Sequence, residues 1–201
     1  EIYTLSLHDA LPISIVARLA DAALTILAIS AGIVGGLLIG GTGLPLTATT
    51  DAIPLWLDVL AAAVLAMCYP VYFSMPIRTF GWAFLAGGLA HAAHWVALTR
   101  WQWNAPASSL LACLVAGGLL TPVCHSRHIP FAGAGFAAVV ALVPGVYLFR
   151  AAAGTLSLVG KVHAEAALEA TASDLATAIA IVLAMAVGLV VPHRIWIRLA
   201  R

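Results

Sequence analysis

The sequence predicts an all-α, polytopic membrane protein: a bundle of about six transmembrane helices, one of them broken at Pro144-Gly145. Three observations carry this. Of the 201 residues, 63% are hydrophobic and only 8% are charged, whereas a soluble domain carries about 25% charged residues. The few charges are spaced so that the runs between them approach the ~20 apolar residues a helix needs to cross a hydrocarbon core. Lastly, the run from Ile129 to Arg150, IPFAGAGFAAVVALVPGVYLFR, is apolar enough for a bilayer yet is interrupted by Val143-Pro144-Gly145. Proline has no N–H to donate and collides with the carbonyl one turn back, while glycine tolerates backbone angles that other residues avoid. In lipid each freed carbonyl needs a partner, so such a break is packed against other helices or faces a wet cavity. Two readings stay open: a break exposing backbone groups to a substrate, as in many secondary transporters, and a kink absorbed by neighbouring side chains.

Residues 1 to 13, EIYTLSLHDALPI, resemble the in-frame translation of a DNA-sequencing adapter, so residues 1 to 14 are set aside from fold reasoning. From Ala22 to Thr50 there is no charged residue, and the first span is expected over Leu19 to Ile39. A linker over residues 41–53 follows. Further spans are expected over Leu55 to Phe73, Phe80 to Leu98 and Ser108 to Cys124, then the broken fifth. The stretch Gly154 to Ser173, with Lys161, Glu165 and Glu169, reads as a connection into a sixth span beginning at Asp174 and ending near Val191.

Basic residues stay on the cytoplasmic side of short loops. Six crossings put Arg18, Arg78, Arg127, Arg194, Arg198 and Arg201 on one side against Arg100 and Lys161 on the other, with the C-terminus in the cytoplasm. Were the fifth segment only to dip in and return, the tally would be four against four, so the rule favours a full crossing. Trp56, Trp101 and Trp103 at one interface, and Trp82 and Trp196 at the other, fit aromatic belts. Gly32, Gly36 and Gly40 repeat every four positions, as do Ser109, Cys113 and Gly117, and such rows of small residues suit helices buried in a bundle.

Depth sorts the polar residues. Asp58, His91, Ser108, Ser109, Pro144, Gly145, Arg150 and Asp174 all fall in the outer half of the predicted bundle, which suggests a polar cavity able to open outwards. A carboxylate within a span costs about 2.5–3.5 kcal/mol at the centre and less near the interface, so Asp58 pairs, lines water, titrates or hydrates itself at the interface. His91 suits a proton relay or an inter-helix hydrogen bond. Arg150 suits an anionic substrate group, an ion pair with Asp58 or Asp174, or snorkelling to the interface. His91 and His94 share a helical face, but no third ligand stands at a recognisable spacing, and Cys124, His125 and His128 match no zinc pattern. Neither a metal nor a cofactor is expected. The three cysteines read as small hydrophobes, and the net charge of +1 argues against nucleic acid. No G-x-S-x-G, H-E-x-x-H or phosphate-binding glycine loop is present, so the chain is not read as an enzyme.

Asp58 with its span ending in FSMPIR, then WAFLAGGLAHAAHW, SSLLACLVAG, ALVPGVYLFRAAAG and the closing VVPHRIW stand in an order and spacing that resemble the C-terminal membrane domain of the threonine/serine exporter (ThrE-like) family. The resemblance covers residues 54–201, and residues 15–40 resemble the last helix of that family's N-terminal domain. It implies a secondary exporter of ten helices, split five and five, in the bacterial inner membrane, moving threonine and serine outward on the proton gradient. The implied partners are a small-molecule substrate, protons, the bilayer and the missing N-terminal half, and a homo-oligomer is compatible. A split form of the family is associated with succinate export, the alternative within transport; a non-transporting membrane scaffold is the alternative of another class. One departure is visible: Ala134-Gly135 stands where the family often has an earlier proline-glycine unit.

Overall fold

The computed structural model describes residues 2–40, 54–159 and 164–199, and the regular structure of these residues is entirely helical. In chain order the helices are α1 (Ile2–Ile39), α2 (Leu55–Tyr72), α3 (Phe80–Thr99), α4 (Ala105–Arg127), α5 (Phe131–Val139), α6 (Gly145–Val159) and α7 (Ala164–Leu199). Short 3₁₀ turns at Ile77–Thr79 and Val140–Leu142 precede α3 and follow α5. The expected linker over residues 41–53, together with Lys161 and Arg201 of the charge tally, lies outside the described residues.

Four stretches are long and apolar enough to cross a membrane: Val16–Ile33, Leu55–Tyr72, Ala105–Arg127 and Ala167–Leu199. Phe131–Leu142 with Gly145–Thr155 makes a fifth if the broken pair counts as one span. The difference from the expected six is α3. Its 20 residues are enough to cross, but two histidines and three glycines leave it less apolar than its neighbours. The reason is its position. α3 packs against α2, α4 and α5, and a helix covered by other helices has less need of lipid-compatible side chains.

The chain divides into two compact units, Glu1–Ala48 with Gly145–Leu175, and Thr49–Pro144 with Ala176–Arg201. In the first, α1 packs on α6. Gly154 lies against Thr171 so closely that a Cβ there would run into the threonine hydroxyl. That contact corrects the sequence reading of residues 154–173. α6 continues to Val159 and α7 already begins at Ala164, so Asp174 sits about three turns inside a helix rather than at its start. A polar helical segment extending beyond the apolar core looks like a loop to hydropathy alone.

Small residues build the second unit. A Cβ on Gly87 would stand 2.5 Å from the Ala66 Cβ, and one on Gly88 3.3 Å from the Ala63 Cβ, so α2 and α3 meet nearly backbone to backbone. The Ser109, Cys113, Gly117 row does what the sequence suggested. A Cβ on Gly188 of α7 would come within 2.6 Å of the Cys113 Cβ, and one on Gly117 within 3.1 Å of the Gly188 carbonyl. The row on α1 does not. Gly32 and Gly36 have nothing within 4 Å of a would-be Cβ, and only 6% of the Val16–Ile33 stretch is buried. Within its own unit this face meets none of the described residues, unlike the row on α4.

Candidate functional site

The α2–α3 contact places the first pair of polar residues. Once Ala62, Ala63 and Ala66 lie against Gly87 and Gly88, the antiparallel hairpin brings the start of α2 beside the second half of α3. Asp58 and His91, 33 residues apart in sequence, then meet with Asp58 Oδ2 3.2 Å from His91 Nδ1. The His91 side chain is 10% exposed and that of Asp58 27%. Asp58 therefore turns to an imidazole inside the bundle, and of the readings the sequence left open it takes pairing over an interface anchor. A carboxylate held in a span needs such a partner to offset its lost hydration.

The pair extends along α3 and onto α4. The His94 ring lies one turn beyond His91, centroids 6.1 Å apart, and the backbone of Ser108 stands within hydrogen-bonding reach of it. Asn104 caps α4 by accepting from Ala107 N–H at 3.0 Å. Ser108 is fully buried and donates its hydroxyl to the Asn104 carbonyl at 2.9 Å. Ser109 is buried as well and lies on the face of α4 that carries Cys113 and Gly117. The serines thus sit inside the packed region, with the Ser108 hydroxyl spent on its own helix.

A second ion pair forms in the other unit. Arg150 Nε of α6 is 3.1 Å from Asp174 Oδ2 of α7, with the arginine side chain 29% exposed and the aspartate 10%. Of the roles the sequence allowed Arg150, the structure selects pairing with Asp174. The break itself is sharp. Val143 is extended at φ −56°, ψ 130°, its N–H bonded to the Val140 carbonyl at 3.2 Å, as expected of a residue before proline. Pro144 is buried, whereas Val143 and Gly145 on either side are exposed, so the break is neither wholly dry nor wholly open. Pro70, Pro122 and Pro192 sit inside continuous helices. Proline alone does not set the break; at Pro144 it coincides with a following glycine and the end of a 3₁₀ turn.

Two cavities lie away from these residues. One of about 350 Å³ is bounded by the ends of α4 and α7, with His125, His128, His193 and Trp196 in its wall and His193 stacked on Phe131 at 4.1 Å. Another, of about 540 Å³, lies along Cys68, Tyr69, Tyr72, Phe73 and Phe136, whose rings interlock at 5.2–6.4 Å. Neither is lined by Asp58, His91 or Pro144. No group of three metal-ligating side chains occurs among the described residues. Sequence reasoning passed over the aromatic cluster at the end of α2 because its members come from two helices.

Helices of membrane-spanning length define a class, the polytopic membrane proteins. The comparison with known families narrows it: the profile described as Threonine/Serine exporter, ThrE, matches residues 58–195, well over half of the chain, and the chain belongs to that family. Its members are transporters rather than enzymes. No solved structure matches the chain. The matched region begins at Asp58 and takes in every predicted site residue, while α1 lies outside it.

Proposed function

We propose that the chain is the C-terminal half of a proton-driven exporter of threonine- and serine-type amino acids in the bacterial inner membrane, with α1 the last helix of an otherwise absent N-terminal half. In this reading the broken helix and α3 both cross, giving six spans and a cytoplasmic C-terminus. The observation that carries it is the Asp58–His91 contact at 3.2 Å between two packed helices. A half-buried acid against a buried imidazole forms a group whose charge changes with a single proton, and a carrier needs such a group if proton movement is to bias one conformation over another. Alternating access would rock the two sides of the Pro144 break, and the N-terminus of α6 after Gly145 would face the substrate carboxylate.

Arg150 separates the two candidate substrates. A dicarboxylate needs an uncompensated cation, whereas Arg150 is already neutralised by Asp174 at 3.1 Å. A zwitterion, with a charge of each sign to offer, suits a compensated pair better. This favours the amino acid over succinate.

Asp58→Asn keeps the shape of the side chain and removes its charge. In vesicles carrying the complete transporter it should abolish proton-driven threonine efflux while leaving the protein folded and inserted. Undiminished efflux removes Asp58 from the mechanism, and competition by succinate in place of threonine would move the assignment to the dicarboxylate form.

A further inference from the structure

His94 stands one turn beyond His91, and its surroundings make it the complement of His91. His91 Nδ1 faces Asp58 Oδ2, so a neutral His91 donates from Nδ1 to the carboxylate and carries its lone pair on Nε2. That Nε2 is buried with no hydrogen-bond partner. On His94 the arrangement is reversed: Nδ1 is the buried nitrogen with no partner, which leaves Nε2 for the Ser108 backbone. Ser108 N–H is already donated to the Asn104 carbonyl at 3.0 Å, so the group available to His94 is the Ser108 carbonyl, an acceptor. His94 accordingly donates from Nε2 and holds its lone pair on Nδ1.

We propose that His91 and His94 together form the proton-binding site, one proton being held between His91 Nε2 and His94 Nδ1, with Asp58 as the counter-ion. Each ring has one nitrogen set toward an acceptor, and its other nitrogen is buried with no partner among the described residues. Two buried lone pairs on adjacent turns, with no donor for either among the described residues, cost free energy. One added proton resolves both at once. It binds one lone pair as N–H and donates to the other, and the single positive charge is balanced by the Asp58 carboxylate. On release the proton leaves the same nitrogen and both lone pairs return. The ring centroids are 6.1 Å apart, too wide for a direct N–H···N bond, so taking up the proton draws the two rings together.

The elements packed on α3 bring little to compete. α2 contributes Asp58 at this level, with Cys68, Tyr69 and Tyr72 about three turns or more further along; α4 contributes Cys113, more than a turn beyond Ser108, and Cys124, His125 and Arg127 at its far end; α5 contributes no titratable side chain, and Arg78 of the 3₁₀ turn lies at the far end of α3. The inference rests on the proton-coupled reading for its purpose, though not for its existence.

The test is ring-¹⁵N NMR of the histidine-labelled chain in nanodiscs across a pH titration, with His91→Gln and His94→Gln to assign the signals. The expected result is that His91 Nε2 and His94 Nδ1 change together, each reporting partial protonation, on uptake of one proton by the pair. In His94→Gln the shared signal disappears. Asp58→Asn, which keeps both rings, should depopulate the shared form about tenfold at a given pH through loss of the counter-charge. Two rings that titrate independently, or a shared signal untouched by Asp58→Asn, overturn the assignment. Because no transport is measured, the outcomes separate. A shared proton in a protein that moves no amino acid leaves the site standing and removes the exporter reading; proton-driven efflux with independently titrating rings removes only the site.

Discussion

Asp174 and Arg150 give the plainest residue-scale expectation. The carboxylate is 10% exposed and its partner Nε lies at 3.1 Å, so Asp174→Asn leaves a guanidinium without its counter-charge in mostly apolar surroundings. Breaking a fully buried pair costs about 3–5 kcal/mol. Because Arg150 keeps 29% of its side-chain exposure, about 2 kcal/mol is expected here, read as a lowered melting temperature in detergent. The double variant Arg150→Gln/Asp174→Asn should recover most of that loss; a double variant as unstable as the sum of the singles would show the pair to be uncoupled. The single variant Asp174→Asn also tests substrate chemistry. An uncompensated Arg150 should bind a dicarboxylate more tightly and a zwitterion less tightly than the parent chain does, measured by ligand-induced thermal shift. The sequence made both acids and the arginine visible, since each interrupts an apolar run. It did not choose the partners. Asp58 and His91 lie 33 residues apart, and only the Ala66–Gly87 approach of their helices brings them together.

Among the helices, glycine has two fates that sequence spacing does not distinguish. Gly188 faces the Cys113 Cβ and the Leu110 carbonyl, where an added Cβ would stand at 2.6 and 2.9 Å, whereas the same addition at Gly32 meets nothing within 4 Å. Gly188→Ala should therefore destabilise the second unit by about 1–3 kcal/mol, the usual cost of overpacking. Gly32→Ala should be neutral or stabilising by up to about 1 kcal/mol, as for an exposed helix interior. Thermal unfolding of the two variants in detergent checks both, and equal penalties would contradict the packing described for α1 and α7. Periodicity marked both rows because it records which residues are small, not what lies opposite. Helix ends were legible to within about three residues where a break in hydropathy coincided with a turn: α4 begins at Ala105 rather than Ser108, and α5 at Phe131 rather than Ile129. They were not legible where α6 and α7 carry polar residues past the apolar core.

For the whole molecule, the number of crossings follows from α3 and the broken pair, and it is open to measurement from both faces of the membrane. Arg78, Arg127 and Arg198 are exposed at helix ends or beside them, Arg194 is exposed in the last two turns of α7, and Arg18 is exposed near the start of the apolar Val16–Ile33 stretch of α1, as side chains held in water or among headgroups should be. If α3 crosses, Ser74 and Gln102 flank it on opposite sides; if the broken pair crosses, Ser126 and Leu168 are likewise separated. Cysteines at these positions, in a chain whose Cys68, Cys113 and Cys124 are replaced by alanine, can be labelled with a maleimide that does not permeate the bilayer. Ser74 and Ser126 should react only from the cytoplasmic face, and Gln102 and Leu168 only from the outer face. Labelling of Gln102 from the cytoplasm would mean that two histidines and three glycines have made α3 too polar to stay across the bilayer. Labelling of Leu168 from the cytoplasm would turn the Pro144 break into a re-entrant loop. Either result reverses the side on which Asp174 and the last helix lie, and with it the direction from which a proton or an amino acid reaches them.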